Sequence, residues 1–294
     1  MDRKKASDFH PEVLKLFDGY VHGVITRREF LDRAARFALI GTSAAVMLES
    51  LAPNYALAQQ VAKDDARIAA KYLTYPSPRG SGETRGYMVH PKRDGKFPAI
   101  LVVHENRGLT PYIEDVARRL ALEGFVAFAP DALTPLGGYP GDEDKAREMF
   151  TKLDRSKMEQ DFIAGAEYLR TRPENSGKTA VVGFCFGGGI SNLVAARVSG
   201  LSAAVTFYGA VLKPEDAAKV TAPLLLHYAG LDERINAGWP AFEAALKANN
   251  VKYEMYMYPN VQHAFHNDAT PRYDEPAAKL AWSRTIEFLK KHLA

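Results

Sequence analysis

Beyond residue 80 the chain alternates short, continuously apolar runs with stretches whose apolar positions recur every three or four residues. The runs at 100–103 and 224–226 contain no polar residue, the pattern of strands covered on both faces. On this reading strands occupy 83–90, 97–104, 125–129, 179–184, 203–208, 223–228 and 252–258. Helices fill 111–123, 158–170, 190–197, 241–248 and 274–293. Ile113, Val116, Ala117 and Leu120 share one helical face, and Gly124 closes that helix. Strand–helix alternation predicts a single doubly wound α/β domain, its sheet parallel except near the start.

In such sheets chemistry sits beyond the carboxyl ends of the strands. His104, Glu105, Asn106, Arg107 and Gly108 follow the strand at 97–104, and Asp131 follows the strand at 125–129. Cys185 follows 179–184, Asp232 and Glu233 lie beyond 223–228, and His263 lies beyond 252–258. Cys185 is the only cysteine, and Gly183 and Gly187 frame it as G-x-C-x-G between a β-branched run and a helix. That is a nucleophile elbow, where small flanking residues allow a tight turn. The alternative is a buried structural cysteine before a glycine-rich helix start. Nucleophile, acid and histidine then follow in the chain order of an α/β-hydrolase triad.

Neighbours compete for two of these roles. Asp232 is favoured over Glu233 by its register in the Gly230-Leu231-Asp232 loop, although it also suits a turn cap. His263 is favoured over His266 by its place directly after strand and turn. His104-Glu105 is no zinc motif, because Gly108 stands where H-E-x-x-H needs its second histidine. His263, His266 and Asp268 form only a weak metal-ligand pattern, and His227, inside a strand, reads as a core residue.

Four segments together closely resemble the dienelactone hydrolase family: the elbow 183–188, the stretch 103–109, the loop 229–232 and the loop 261–265. The resemblance runs over nearly all of 59–294 and implies an α/β-hydrolase fold. It also implies cysteine-dependent cleavage of esters or lactones without metal or organic cofactor. It makes Cys185 the nucleophile, His263 the base and Asp232 its orienting acid. Glu105 matches a glutamate that, in this family, holds the resting thiol and is displaced as substrate arrives. The loop after Asp131 lacks an arginine, and the position four past His263 is Asn267. Both depart from the arginines with which dienelactone-cleaving members hold a substrate carboxylate.

With 294 residues, 47% of them hydrophobic, the chain builds a large core, and a net charge of +3 without basic blocks beyond the N-terminus gives no case for nucleic acid. A lone cysteine excludes an intramolecular disulfide framework. The first 58 residues read differently. Thr26-Arg27-Arg28-Glu29-Phe30-Leu31 matches the twin-arginine export pattern, and an uncharged, mostly apolar run follows at 37–48. At 12 residues that run is shorter than the roughly 20 needed to span a bilayer. Ala56-Leu57-Ala58 then resembles a cleavage site. The expectation is a cleaved signal over 1–58, lying loosely or as a detached helix, recognition by the twin-arginine export machinery, and a periplasmic or otherwise exported catalytic domain at 59–294 with no stable membrane insertion. The competing reading is an amphipathic helix that happens to carry two arginines.

The expected chemistry is acyl transfer to Cys185, with His263 drawing its proton and Asp232 fixing the tautomer; the alternatives are a non-catalytic exported binding protein on a hydrolase scaffold and a redox role for the lone thiol. Elbow geometry assigns the oxyanion donors to the backbone N–H groups of Phe186 and Asn106. Arg107 is a candidate contact for an anionic substrate. Tyr139, in the glycine-rich loop 136–141, is a candidate lid residue over a small ester or lactone.

Overall fold

The computed structural model describes residues 4–38 and 43–294; residues 39–42 of the apolar run at 37–48 lie outside them. In chain order the elements are α1 (Pro11–Val21), α2 (Arg27–Ala34), α3 (Ala44–Leu51), β1 (Ile68–Ser77), β2 (Gly82–Pro91), β3 (Phe97–Val103), α4 (Pro111–Leu122), β4 (Val126–Pro130), α5 (Glu143–Thr151) and α6 (Arg155–Arg170). They continue with β5 (Asn175–Phe184), α7 (Phe186–Arg197), β6 (Ala203–Phe207), α8 (Pro214–Ala217), β7 (Leu224–Ala229), α9 (Glu233–Asn236), α10 (Trp239–Ala248), β8 (Tyr253–Tyr258) and α11 (Glu275–Leu293).

The eight strands form one sheet in the order β1-β2-β4-β3-β5-β6-β7-β8. β1 and β2 pair antiparallel, as do β2 and β4, and every later pairing is parallel. The parallel sheet with an antiparallel start matches the pattern expected above. Successive strand residues alternate between two cores. Ile100, Val102, Val182, Phe184 and Leu225 pack with residues of α4 and α11. Leu101, Val103, Val181, Leu224 and Leu226 pack with α6, α7 and α10 on the other face. The pattern missed β1, an edge strand with exposed Lys71 and Thr74, and α5, of which only Ala146 is buried. Neither presents a continuous apolar stripe.

The first 58 residues correct the expectation of a loose or detached segment. Val13, Leu14, Phe17, Tyr20, Phe30, Ala34, Met47, Leu48 and Leu51 close a small core of their own. Arg27 and Arg28 open α2, where Thr26 accepts from the Glu29 N–H and Glu29 accepts from the Thr26 N–H, a reciprocal cap. This small core docks on the α/β domain. Tyr20 donates to Asp144, Arg27 pairs with Asp144 at 2.8 Å, and Tyr55 donates to Glu143 at 2.7 Å. Just beyond, Val61 is fixed through its N–H to Asp115 (2.9 Å) and its carbonyl to the fully buried Arg118 (2.8 Å). No helix among the described residues is long and apolar enough to cross a membrane.

Candidate active site

β5 delivers Cys185 to the carboxyl edge of the sheet, and α7 starts at the next residue. Cys185 has φ 56° and ψ −116°, a left-handed conformation costly for a residue with a Cβ. The surroundings enforce it. A Cβ on Gly183 would lie 1.9 Å from the Gly187 carbonyl oxygen, and one on Gly187 would lie 2.3 Å from that of Val103. Only glycine lets three backbone segments meet there, so the sulfur projects from a fixed, strained turn at the N-terminus of α7.

Asp232 and His263 come from the ends of β7 and β8. Asp232 caps α9, its Oδ1 accepting from the Ile235 N–H at 3.2 Å, while Oδ2 takes Nδ1 of His263 at 2.5 Å. It serves as cap and partner at once, whereas Glu233 is exposed. His263 is buried, and the left-handed Ala264 (φ 65°) turns the loop away after it. A ring nitrogen of His263 lies within 4.8 Å of the Cys185 sulfur; with Nδ1 taken by Asp232, Nε2 is the one left to serve the thiol. His266, the rival, donates or accepts with Tyr112 at 2.7 Å and stacks on Phe184, away from the thiol. His227 is a core residue held by Tyr258 and Thr285, each at 3.0 Å.

The thiol's hydrogen bond goes to a residue outside the expected set. Nε2 of His22, at the end of α1, lies 3.5 Å from Sγ, and its ring meets that of His263 edge to face at 4.8 Å. Burial disfavours a charged thiol, but the imidazoles of His263 and His22 hold Cys185 well below the usual thiol range. Burial also opposes charge on His263, yet the Cys185 thiolate and Asp232 push it up to about 10. Each group thus favours the charged form of the other. Donor atoms of His22, Cys185 and His263 all lie within 4.8 Å of one another. At its widest that spacing exceeds what two ligands of one zinc ion can span, and the fold does not assemble the His263, His266, Asp268 pattern either.

Glu105 does not hold the thiol here; its Oε2 accepts from Asn267 at 2.6 Å. Burial, then the nearby thiolate, raise its pKa to about 7. The side chain of Asn106 donates to the Val21 carbonyl at 3.0 Å. Arg107 is buried against Glu143 (3.4 Å) and the carbonyls of Asn106 and Val21. A cavity of about 440 Å³ opens between this edge and the N-terminal helices. Cys185, His263, Glu105, Arg107 and Arg272 line it from the catalytic side; Phe17, Tyr20 and Leu48 line it from the other. Tyr139 stands outside it, supporting Glu143 through its hydroxyl at 3.0 Å. A larger hollow of about 760 Å³ beside Arg119 and Trp282 contains none of Cys185, Asp232 and His263.

Sequence reasoning missed Asp18, His22 and Arg272, the first two because residues 1–58 were set aside as a signal. The readable clue was the amphipathic spacing of Val13, Leu14, Phe17 and Tyr20 running up to His22-Gly23, a helix and its stop.

A cysteine held at positive φ between strand and helix, at the carboxyl edge of a mostly parallel sheet, defines an α/β-hydrolase fold. Within that class the chain belongs to the dienelactone hydrolase family, whose family model matches residues 84–293; it is an ester or lactone hydrolase. It is 33% identical over 246 residues to an Escherichia coli O157:H7 protein named "Putative carboxymethylenebutenolidase", covering 78% of this chain and 89% of that one. It is 58% identical over 113 residues to the "Putative hydrolase fragment YghX" of Escherichia coli K12, covering 38% of this chain and 97% of the fragment. A crystal structure described as a "Putative Dienelactone Hydrolase" from Klebsiella pneumoniae superposes with a TM-score of 0.67 at 28% identity, over 76% of this chain and 99% of that one. Residues 1–37 match a separate family model, described as YqhI-like.

Proposed function

We propose that the protein hydrolyses small activated esters or enol lactones through a Cys185–His263–Asp232 triad and a thioester intermediate. The observation that carries this reading is the left-handed Cys185 facing an imidazole whose Nδ1 is tied to Asp232 at 2.5 Å. His263 takes the thiol proton, and the thiolate attacks the carbonyl carbon. The N–H groups of Phe186 and Asn106 receive the oxyanion, assisted by the positive end of α7. Loss of the alcohol leaves the acyl group on sulfur, and water then releases it as the acid.

A thiol nucleophile narrows the substrate. When the departing group is a poor one, the tetrahedral intermediate expels the thiolate instead and reverts. Enols and acidic alcohols compete with a thiol of ordinary pKa about 8.5, and amide nitrogen does not. A cavity of about 440 Å³ accommodates such a small acyl or lactone group. Turnover of a panel of aryl esters, enol lactones, alkyl esters and alkyl amides tests the reading. Aryl esters and enol lactones should lead, and Cys185→Ala should abolish hydrolysis. Equal rates on alkyl amides, or an active Cys185→Ala, would overturn it.

Export by the twin-arginine route is part of the proposal and is supported by the pattern at 26–31, with the buried bond after Ala58 left intact so that residues 1–58 stay on the exported enzyme. The N-terminal segment and catalytic domain would then reach the machinery as one folded body. N-terminal sequencing of the protein from fractionated cells, with Arg27→Lys/Arg28→Lys as control, tests it; cytoplasmic retention of the native chain would refute it.

A further inference from the structure

Two aspartate–histidine pairs converge on one sulfur. Asp232 holds Nδ1 of His263 from the carboxyl edge of the sheet. From the opposite side Asp18 holds Nδ1 of His22, through its backbone carbonyl at 2.8 Å and its carboxylate at 3.3 Å. Nε2 of His22 faces Sγ at 3.5 Å. The second pair is longer and more exposed than the first, but it is held from several sides. Asp18 is tied to Arg272 at 3.3 Å and Arg234 at 3.7 Å. The Val21 carbonyl is gripped by Asn106 and Arg107. Gly23, left-handed at φ 74°, stops α1 directly after His22 and fixes where the imidazole projects.

We propose that Asp18 and His22 are a second acid–base pair of this active site, lent by the N-terminal segment, and that His22 carries the proton exchanged with the leaving group and the hydrolytic water. The inference rests on Cys185 being the nucleophile. An oxygen on the carbon bonded to Sγ stands one bond beyond the sulfur, within reach of a donor 3.5 Å from it. In acylation the S–C bond forms, the C–O bond breaks, and protonated His22 gives its proton to the departing oxygen. In deacylation neutral His22 takes a proton from water as its oxygen bonds the acyl carbon. The C–S bond then breaks, and the thiolate returns to the His263 imidazolium, which has kept its proton throughout. Ester and water become acid and alcohol, and the enzyme regains its starting state.

Four groups face His22. Burial lowers its affinity for a proton; the Cys185 thiolate and Asp18 outweigh burial and raise it. His263 opposes them, as does Arg234, whose Nη2 is 3.2 Å from Nε2. His263, by contrast, is tied through Nδ1 to Asp232 at 2.5 Å and pushed up to about 10.

The test uses the full chain, its N-terminal segment confirmed by intact mass, with His22→Gln, His22→Ala and Asp18→Asn. The probes are p-nitrophenyl acetate, whose leaving group departs without a proton, and ethyl acetate, whose leaving group needs one. The variants should lose about 10²–10³-fold in kcat/KM on the alkyl ester and under tenfold on the aryl ester. On the aryl ester they should release one equivalent of p-nitrophenolate in a burst, then turn over slowly. Unchanged kinetics, an equal loss on both esters, or a gain in activity would overturn the inference. His22→Gln keeps a polar side chain of similar reach if His22→Ala fails to fold. A dead Cys185→Ala beside a normal His22→Gln sinks this inference alone, whereas an active Cys185→Ala sinks the nucleophile reading with it.

Discussion

Oδ2 of Asp232 stands 2.5 Å from Nδ1 of His263 while its Oδ1 caps α9, so one carboxylate orients the base and anchors its own loop. Asparagine caps a helix about as well as aspartate but cannot stabilise the imidazolium. Asp232→Asn should therefore lower kcat by about 10³–10⁴ with little change in melting temperature. Steady-state kinetics and a thermal melt on the same sample separate the two roles.

The depressed pKa of Cys185 predicts a larger thiolate fraction below pH 8 than an ordinary thiol carries. An ordinary thiol, with pKa about 8.5, loses about tenfold in alkylation rate per pH unit below that value. Cys185 should react with iodoacetamide at pH 6 within about threefold of its rate at pH 8. A fall approaching a hundredfold would show an ordinary thiol.

Gly187 predicts a packing effect with no chemistry in it. The Cβ of Gly187→Ala would meet the backbone oxygens of Val103 at 2.3 Å and His104 at 2.6 Å, neither of which has a flexible end to move. The variant should lose about 3 kcal/mol or more of stability. Urea titration checks this, with Gly141→Ala as comparison: nothing stands within 4 Å of its Cβ, though its φ of 78° carries strain of its own.

His227 sets an acid limit. Burial lowers its pKa to about 3, while in the unfolded chain it titrates near 6.5. Below that pH the unfolded chain binds the extra proton, so stability is full above about 6.5 and is lost as pH falls toward 3. His227→Gln should show a shallower loss of urea midpoint between pH 6 and pH 4 than the native chain.

Strands such as β3 and β7 are plain in the sequence because burial on both faces leaves an uninterrupted apolar run. The edge strand β1 and the exposed helix α5 carry no such mark. Cys185, Asp232 and His263 were legible because topology forces them to one sheet edge in a fixed chain order. Glu105 was legible as a neighbour of that edge but not as a partner of Asn267, since a 162-residue separation leaves no local trace. His22 was hidden for another reason. Thr26 to Leu31 satisfies an export pattern and a helix cap with the same letters, and only the packing of Phe17, Tyr20 and Phe30 beneath it reveals the helix.

Ala58 is completely buried, and four residues earlier the Asn54 N–H donates to the Ala269 carbonyl at 2.7 Å. Peptidases cut extended, accessible backbone, so in this conformation the bond after Ala58 is shielded. Cutting there must wait for the N-terminal helices to lift from the pocket they roof. A molecule wedged between roof and floor would slow that lifting, and one that pushes the roof away would hasten it. Susceptibility of this single bond is thus a clock that runs at the rate of pocket opening.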